Sequence, residues 1–459
     1  MKRLINFTGW RVVAAAWLAV FCLFGYRATF AILKGPMEVT LGWSAASVTL
    51  GYSLMMVCYA LTAYASGAAL DRWGPRPLYA SAAMLGALGF ALTARVNTHL
   101  SYLLTFGLLG GIATGLLWIT ATISVRKHHD GASYGAMWGL AFAGAPIAQF
   151  LLSEIIKPRL GAAQIALEQA VIAAQGLDAT LPARELVHAA AEALRDPAVR
   201  ALPAIAAALH ALDAAWRSEM RLLSGIVLGA LLLAAWLSQR ATPINTPHTH
   251  PTHNSRAAFA TYAIWGAIFT FLTSMMAEFL IWTQIISYWV EDVGYTLEQA
   301  AGVYAIIGLM GMVSMPALGR VADAVVRARG HEAAGRKIML IIGPLIGAVA
   351  CALLLQSHNK VLAYAACLCF AIYWAIMPGG VVGYVGAIYG SATLGQIWGL
   401  ATLLVMGIGP FAGSFIGGQL RDLSGSYTYA IYYALGSFVV SLGLALTLPH
   451  TARPPVTRA

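Results

Sequence analysis

Apolar residues in this chain run in stretches much longer than a buried core helix needs, and polar residues collect in the short gaps between them. In the first half, stretches long enough to cross a hydrocarbon layer of roughly 30 Å lie near 10–33, 44–69, 77–95, 100–124, 134–156 and 220–238. In the second half they lie near 258–290, 297–318, 338–357, 361–388, 393–417 and 427–448. Inside such a layer no water satisfies the backbone, so each stretch must form its own hydrogen bonds, as an α-helix does. The pattern predicts an all-α membrane protein with twelve transmembrane helices. The first stretch is too long for a signal peptide and lacks a cleavage site, so it is expected to be retained.

Composition agrees. Of 459 residues, 59% are hydrophobic and only 10% charged, far from the balance of a soluble domain. The net charge of +10 gains meaning from its distribution. With a cytoplasmic amino terminus, that side receives Lys2, Arg3, Arg11, Arg72, Arg76, Arg126, Lys127, Arg240, Arg256, Arg320, Arg327, Arg329, Arg336, Lys337, Arg453 and Arg458. The opposite short loops receive few cations, among them Arg95, Lys360 and Arg421. Both termini are therefore expected in the cytoplasm, in a multi-pass protein of the cell (inner) membrane. The charge reflects this asymmetry and contact with anionic lipid, not nucleic acid. All five cysteines fall inside spans and read as small apolar residues. No GxxxxGK[ST] loop is present, which excludes direct ATP coupling. Neither a nucleophile–base constellation nor a metal cluster stands out, so the chain reads as neither an enzyme nor a cofactor protein.

The chain repeats itself. Gly135-Ala-Met-Trp-Gly-Leu-Ala141 recurs as Gly395-Gln-Ile-Trp-Gly-Leu-Ala401, and Gly67-Ala-Ala-Leu-Asp71 as Gly319-Arg-Val-Ala-Asp323. Gly42 and Gly294 share the latter offset of 252 residues. The reading is two pseudo-symmetric six-helix bundles with cargo bound between them. The first comprises 1–156 and 220–238, the second 257–459. Residues 157–219 form an extracytoplasmic helical insertion, which Gly176, Pro182, Asp196 and Pro203 punctuate into about three short amphipathic helices. Residues 239–256 form a cytoplasmic linker, whose Pro247–His253 histidine run reads as plain linker rather than metal site. The Arg126–Asp130 run reads as a solvated cytoplasmic loop, and Glu291 and Asp292 as solvated at the outer mouth. Each chain already holds both halves, so a monomer is expected.

The run Gly67-x-x-x-Asp71-Arg72-x-Gly74-x-Arg76, between spans two and three, resembles the signature loop of the major facilitator superfamily. Its Asp can cap a helix start while its arginines engage the neighbouring half. Gly319 and Asp323 keep part of it in the second half. Further stretches resemble the monocarboxylate transporter group and its oxalate/formate-type relatives. They are Phe30–Glu38 leading into Gly42-Trp43-Ser44, Gly139–Pro146, and Gly409–Gly413 followed by Asp422–Tyr427. The resemblance implies the major facilitator fold, alternating access and a conformational role for Gly67, Asp71, Arg72, Gly74, Arg76, Gly319 and Asp323.

Two ionisable side chains lie well inside spans, Arg27 in span one and Glu278 in span seven. A charge at that depth costs about 2.5–3.5 kcal/mol on insertion scales, so its presence calls for a role. The 252-residue offset maps Arg27 to 279, next to Glu278, and so puts both at one depth. Arg27 suits a carboxylate but cannot titrate; Glu278 can carry the proton. Arg27 stands seven residues before Lys34, where monocarboxylate transporters place a cation that engages substrate carboxylate. The resemblance implies further charges in spans eight and eleven. Here Gly311 and Met315 occupy the span-eight positions before Pro316, and span eleven has no internal cation. A small dicarboxylate is therefore unexpected, and a monocarboxylate-like anion, apolar or zwitterionic, fits better. Tyr26, Trp282, Gln284, Tyr373 and Trp398 are the candidate pocket partners, with Glu278 the proton-coupling residue. The reading is a proton-coupled secondary transporter for a small-molecule carboxylate. The alternatives are a proton-driven exporter of an amphipathic drug or metabolite and a non-transporting membrane sensor.

Overall fold

A computed structural model describes residues 7–43, 45–129, 131, 133–176, 192–238, 255–295, 297–390, 394–424 and 426–450. The first half holds α1 (Phe7–Leu41), α2 (Ala45–Trp73), α3 (Pro75–Thr93) and α4 (His99–His128). It continues with α5 (Tyr134–Phe142, resuming as Gly144–Gln175) and α6 (Pro203–Leu237). The second holds α7 (Tyr262–Tyr288), α8 (Leu297–Arg329), α9 (Glu332–Leu354), α10 (Lys360–Tyr389), α11 (Leu394–Ser424) and α12 (Thr428–Thr447). Among the described residues, eleven helices are long and apolar enough to cross a membrane. The exception is α3, whose first turn spends three positions on Pro75, Arg76 and Pro77.

Equivalent pairs pack in each half. In the first, α1 packs on α5 and α6, α2 on α4, and α3 on α6; in the second, α7 packs on α11 and α12, α8 on α10, and α9 on α12. The halves meet along α2–α11 and α5–α8. Gly42 and Gly294, paired by the sequence offset, both adopt left-handed backbone, φ 69° and 83°. Each closes the C-terminal end of its half's first helix, a conformation that glycine reaches without a Cβ penalty. The break at Ala143 lies one turn before Pro146, whose ring nitrogen offers no N–H to the carbonyl four residues back.

The insertion departs from the expected row of short helices. Its first part continues α5 through Pro158 to Gln175, and its last part is the beginning of α6. Three of the foreseen marks do act: Gly176 caps α5 in the left-handed region, Asp196 caps the short Pro197–Arg200 helix, and Pro203 opens α6. Leu-, Ala- and Gln-rich sequence carries the helices past the apolar spans, at the first boundary in spite of Pro158. Pro182, the linker residues 239–254 with their histidine run, and Asp130 lie outside the described residues.

The described polar contacts of this insertion fall on the first half. Arg200 donates to the carbonyls of Val39 (2.9 Å) and Thr40 (3.2 Å), and the Trp216 indole donates to Thr40 Oγ1 (2.9 Å). Those are carbonyls that the end of α1 leaves without helical partners.

Candidate functional site

Both described chain ends lie at one end of the bundle, with Gly9 beside His129 and Leu446 beside Lys337. At this end the halves interlock through the repeated motifs, crosswise. Gly67 meets Gly395 and Gly319 meets Gly135 so closely that a Cβ on any of the four would overlap the partner's backbone. Asp323 accepts hydrogen bonds from the backbone N–H groups of Gly135 and Ala136, both at 2.7 Å. Asp71 accepts from Gln396 N at 3.3 Å. Each carboxylate thus sits on the first turn of a helix in the opposite half, where unpaired N–H groups and the helix dipole favour negative charge. The sequence reading had the motif's arginines engaging that half; Arg72 and Arg76 are instead exposed, and Gly74 (φ 76°) makes the turn between α2 and α3.

The Arg126–Asp130 run is not a solvated loop in its described part. Lys127 pairs with Asp71 at 2.6 Å, and Arg126 reaches across to Glu332 with two bonds of 2.5 and 2.9 Å. Buried Arg336 pairs with buried Asp323 at 3.0 Å and also donates to Gly131 O. The Tyr134 ring lies under both guanidinium groups, 5.1 Å from Arg126 and 5.2 Å from Arg336. The interface loosens toward the insertion end. From ideal Cβ positions, Gly311 stands 3.3 Å from Pro146, Gly308 4.0 Å from Gln149, and Gly302 meets nothing. Contact with α5 occupies the place of the missing span-eight acid at Gly311.

Arg27 and Glu278 lie near the middle of α1 and α7. The Arg27 guanidinium stacks on Phe24 (5.2 Å) and Tyr59 (5.1 Å). Its Nε and Nη2 have no hydrogen-bond partner. Glu278 is 5% exposed and accepts from the Tyr373 hydroxyl at 3.0 Å, which also reaches Ser274 O at 3.1 Å. The two charges are within electrostatic reach of each other but form no ion pair. Between them lie rings from both halves: Phe24 with Phe142 (5.7 Å) and Trp374 (6.0 Å), and Trp374 with Trp282 (5.1 Å).

The other predicted residues scatter. Trp282 lies one turn from Glu278, beside its carboxyl group. Tyr373 is fully buried behind that carboxyl. Tyr26, one position from Arg27, turns into the first bundle against Phe90 at 3.9 Å. Gln284 packs against Gly417 of α11, and Trp398 stacks on Phe271. Lys34 pairs with Glu38 at 3.6 Å. Asp292, expected to be solvated, accepts from Ser426 Oγ and the N–H groups of Tyr427 and Thr428, and so caps α12. Phe24 and Tyr59 were missed altogether. The spacing of Phe24 three residues before Arg27 places them on one helix face and was the one available signal.

Two related six-helix halves, almost wholly apolar and joined crosswise at one end, define a multi-pass membrane transporter and not an enzyme. The sequence model of the Major Facilitator Superfamily matches residues 16–154 and 200–414, skipping most of the insertion, and the chain belongs to that family. It is 21% identical over 455 residues to monocarboxylate transporter 13 of Rattus norvegicus, covering 96% of this chain and 89% of that one. Among solved structures it resembles a Major Facilitator Superfamily transporter, FucP, in the outward conformation. That likeness has a TM-score of 0.69 and 16% identity, over 95% of this chain and 98% of the other. It also resembles the human organic anion transporter MFSD10 (TETRAN), with a TM-score of 0.61 and 16% identity, over 95% and 99%.

Proposed function

We propose that the protein is a proton-coupled secondary transporter that moves a small organic carboxylate across the cell membrane by alternating access, as a monomer. The observation that carries this reading is the free edge of Arg27. Nε and Nη2 project from the same edge of the planar guanidinium and, among the described residues, have no hydrogen-bond partner. Two parallel N–H donors are the geometry that a carboxylate accepts. Buried donors without an acceptor are costly, which supports cargo as the missing partner. Similarity to a monocarboxylate transporter and to an organic anion transporter is consistent with an anionic cargo.

Glu278 supplies the proton step. Its buried carboxyl group accepts a hydrogen bond from Tyr373 and lies within electrostatic reach of Arg27, two supports for a charge at that depth. Cargo neutralising Arg27 weakens one of the two supports for the carboxylate and promotes proton uptake. The bundle then carries a neutralised pair across. Because Glu278 is buried behind Trp282, an anion fits better than a zwitterion bridging both charges. The interlocked end is the cytoplasmic gate, so this conformation receives cargo from the insertion side.

The test is uptake of radiolabelled short carboxylates into proteoliposomes with an imposed pH gradient, comparing wild type, Arg27→Ala and Glu278→Gln. Arg27→Ala is expected to cut affinity about 100-fold or more, the worth of two charge-assisted hydrogen bonds. Glu278→Gln is expected to abolish the dependence on the gradient. Unchanged affinity in Arg27→Ala, or gradient-driven uptake intact in Glu278→Gln, refutes the corresponding half of the reading.

A further inference from the structure

The wall between Arg27 and Glu278 is built of rings, and their exposure is uneven in an informative way. Phe142 and Trp374 are buried and form the backing. Phe24, Trp282 and Tyr304, though within α1, α7 and α8, remain partly exposed. Trp282 meets Tyr304 edge-on at 5.6 Å and Trp374 at 5.1 Å, so its orientation is fixed from two sides. Phe24 is fixed likewise by Phe142 and Trp374. Rings held in place by buried rings offer a rigid aromatic surface, with no side-chain freedom to lose when a ligand arrives.

We infer that the cargo is a flat aromatic monocarboxylate, its carboxylate on the Nε–Nη2 edge of Arg27 and its ring against Phe24 and Trp282. This rests on the transporter reading above and narrows it. Phe24 lies against that guanidinium, at 5.2 Å, so a cargo held by Arg27 is next to its ring. Phe24 and Trp282 come from opposite halves and share the contact with Trp374. A ring bound there touches both halves at once. With no cation in the family's span-eight positions, Gly311 and Met315, a second anionic group on the cargo would be left buried and unpaired.

The experiment is calorimetric titration of the purified full chain with phenylacetate and cyclohexylacetate, which carry the same acid on a flat and on a puckered ring. Phenylacetate is expected to bind about three- to tenfold more tightly, the size of an aromatic pair beyond area burial. Trp282→Leu is expected to remove that preference, and Trp282→Phe, which keeps a ring, to retain it. Equal affinity for the two acids in wild type overturns the aromatic assignment, as does a preference that survives Trp282→Leu or no binding of either acid. Arg27→Ala separates the levels. If both acids bind equally and both are lost in Arg27→Ala, only the aromatic assignment fails. If both bind undiminished in Arg27→Ala, the carboxylate reading fails with it.

Discussion

Asp323 in the second half binds the backbone N–H of Gly135 in the first at 2.7 Å, and so caps a helix to which it is not covalently close. Its counterpart Asp71 makes a single longer bond, 3.3 Å, to Gln396. The gate is therefore unequal. Asp323 also holds buried Arg336, which without it keeps a longer contact to Glu332 (3.7 Å) and the Gly131 carbonyl; breaking such a buried pair costs up to about 3–5 kcal/mol. Removing Asp71 loses a weaker cap, about 0.5–2 kcal/mol, and a pair with Lys127 that lies nearer the surface than Arg336. Asp323→Ala is expected to open the interlocked end far more often than Asp71→Ala. Labelling of a cysteine placed at Ala136 should rise strongly in the first variant and weakly in the second; equal labelling would contradict the inequality.

The glycines of the crossed motifs work through backbone approach. A Cβ at Gly319 would overlap the Gly135 carbonyl, and a Cβ at Gly67 that of Gly395. The overlapping atoms are backbone, so no side-chain rotation relieves them. Gly319→Ala and Gly67→Ala are expected to prevent full closure and to lower uptake at least tenfold, with membrane abundance close to wild type. Gly302→Ala, where a Cβ meets nothing, is the control and should transport normally. Uptake preserved in Gly319→Ala would show that the contact is not needed.

How much of this was legible before the structure depends on how local each signal is. The duplicated motifs and the shared offset of Gly42 and Gly294 located the halves, because repeats are read along one dimension. The depth of Arg27 and Glu278 followed from the same offset. What the motifs bind did not follow: Asp71 and Asp323 reach the opposite half, and Arg126 meets Glu332 across 206 residues. In a span apolar on every side, periodicity does not mark which face looks inward, so Tyr59 was invisible, Phe24 was marked only by its spacing from Arg27, and Tyr26 and Trp398 looked equally eligible. The insertion was misdivided for the opposite reason, since good helix formers cross its boundaries without a break.

Tyr373 is expected to tune proton coupling without touching cargo. Its hydroxyl donates to Glu278 at 3.0 Å, while its ring packs on Phe438 at 4.7 Å. Tyr373→Phe keeps that packing and removes the donor. A hydrogen bond to a charged group is worth about 1.5–3 kcal/mol, or about one to two pH units. Losing a donor that stabilises the carboxylate should move the pH midpoint of uptake upward by that amount, with KM for cargo at saturating proton concentration little changed. A profile that overlays wild type would remove Tyr373 from the coupling scheme.

The insertion is expected to brace α1 rather than to act as a lid between the halves. Its described polar contacts fall on the first half: Arg200 on Val39 and Thr40, Trp216 on Thr40, and Arg217 on Ala94 and Asn97. Thr40 passes the restraint on by donating to Pro36 O at 2.8 Å, inside the helix that carries Arg27. Arg200→Ala together with Trp216→Phe frees the α1 carbonyls and leaves the ring in place. Hydrogen exchange should then accelerate in residues 37–41, by about tenfold for a loss near 1.4 kcal/mol, while α7 and α8 keep their protection. A lid would behave otherwise, loosening α7 and α8 as well and raising the rate at which cargo escapes.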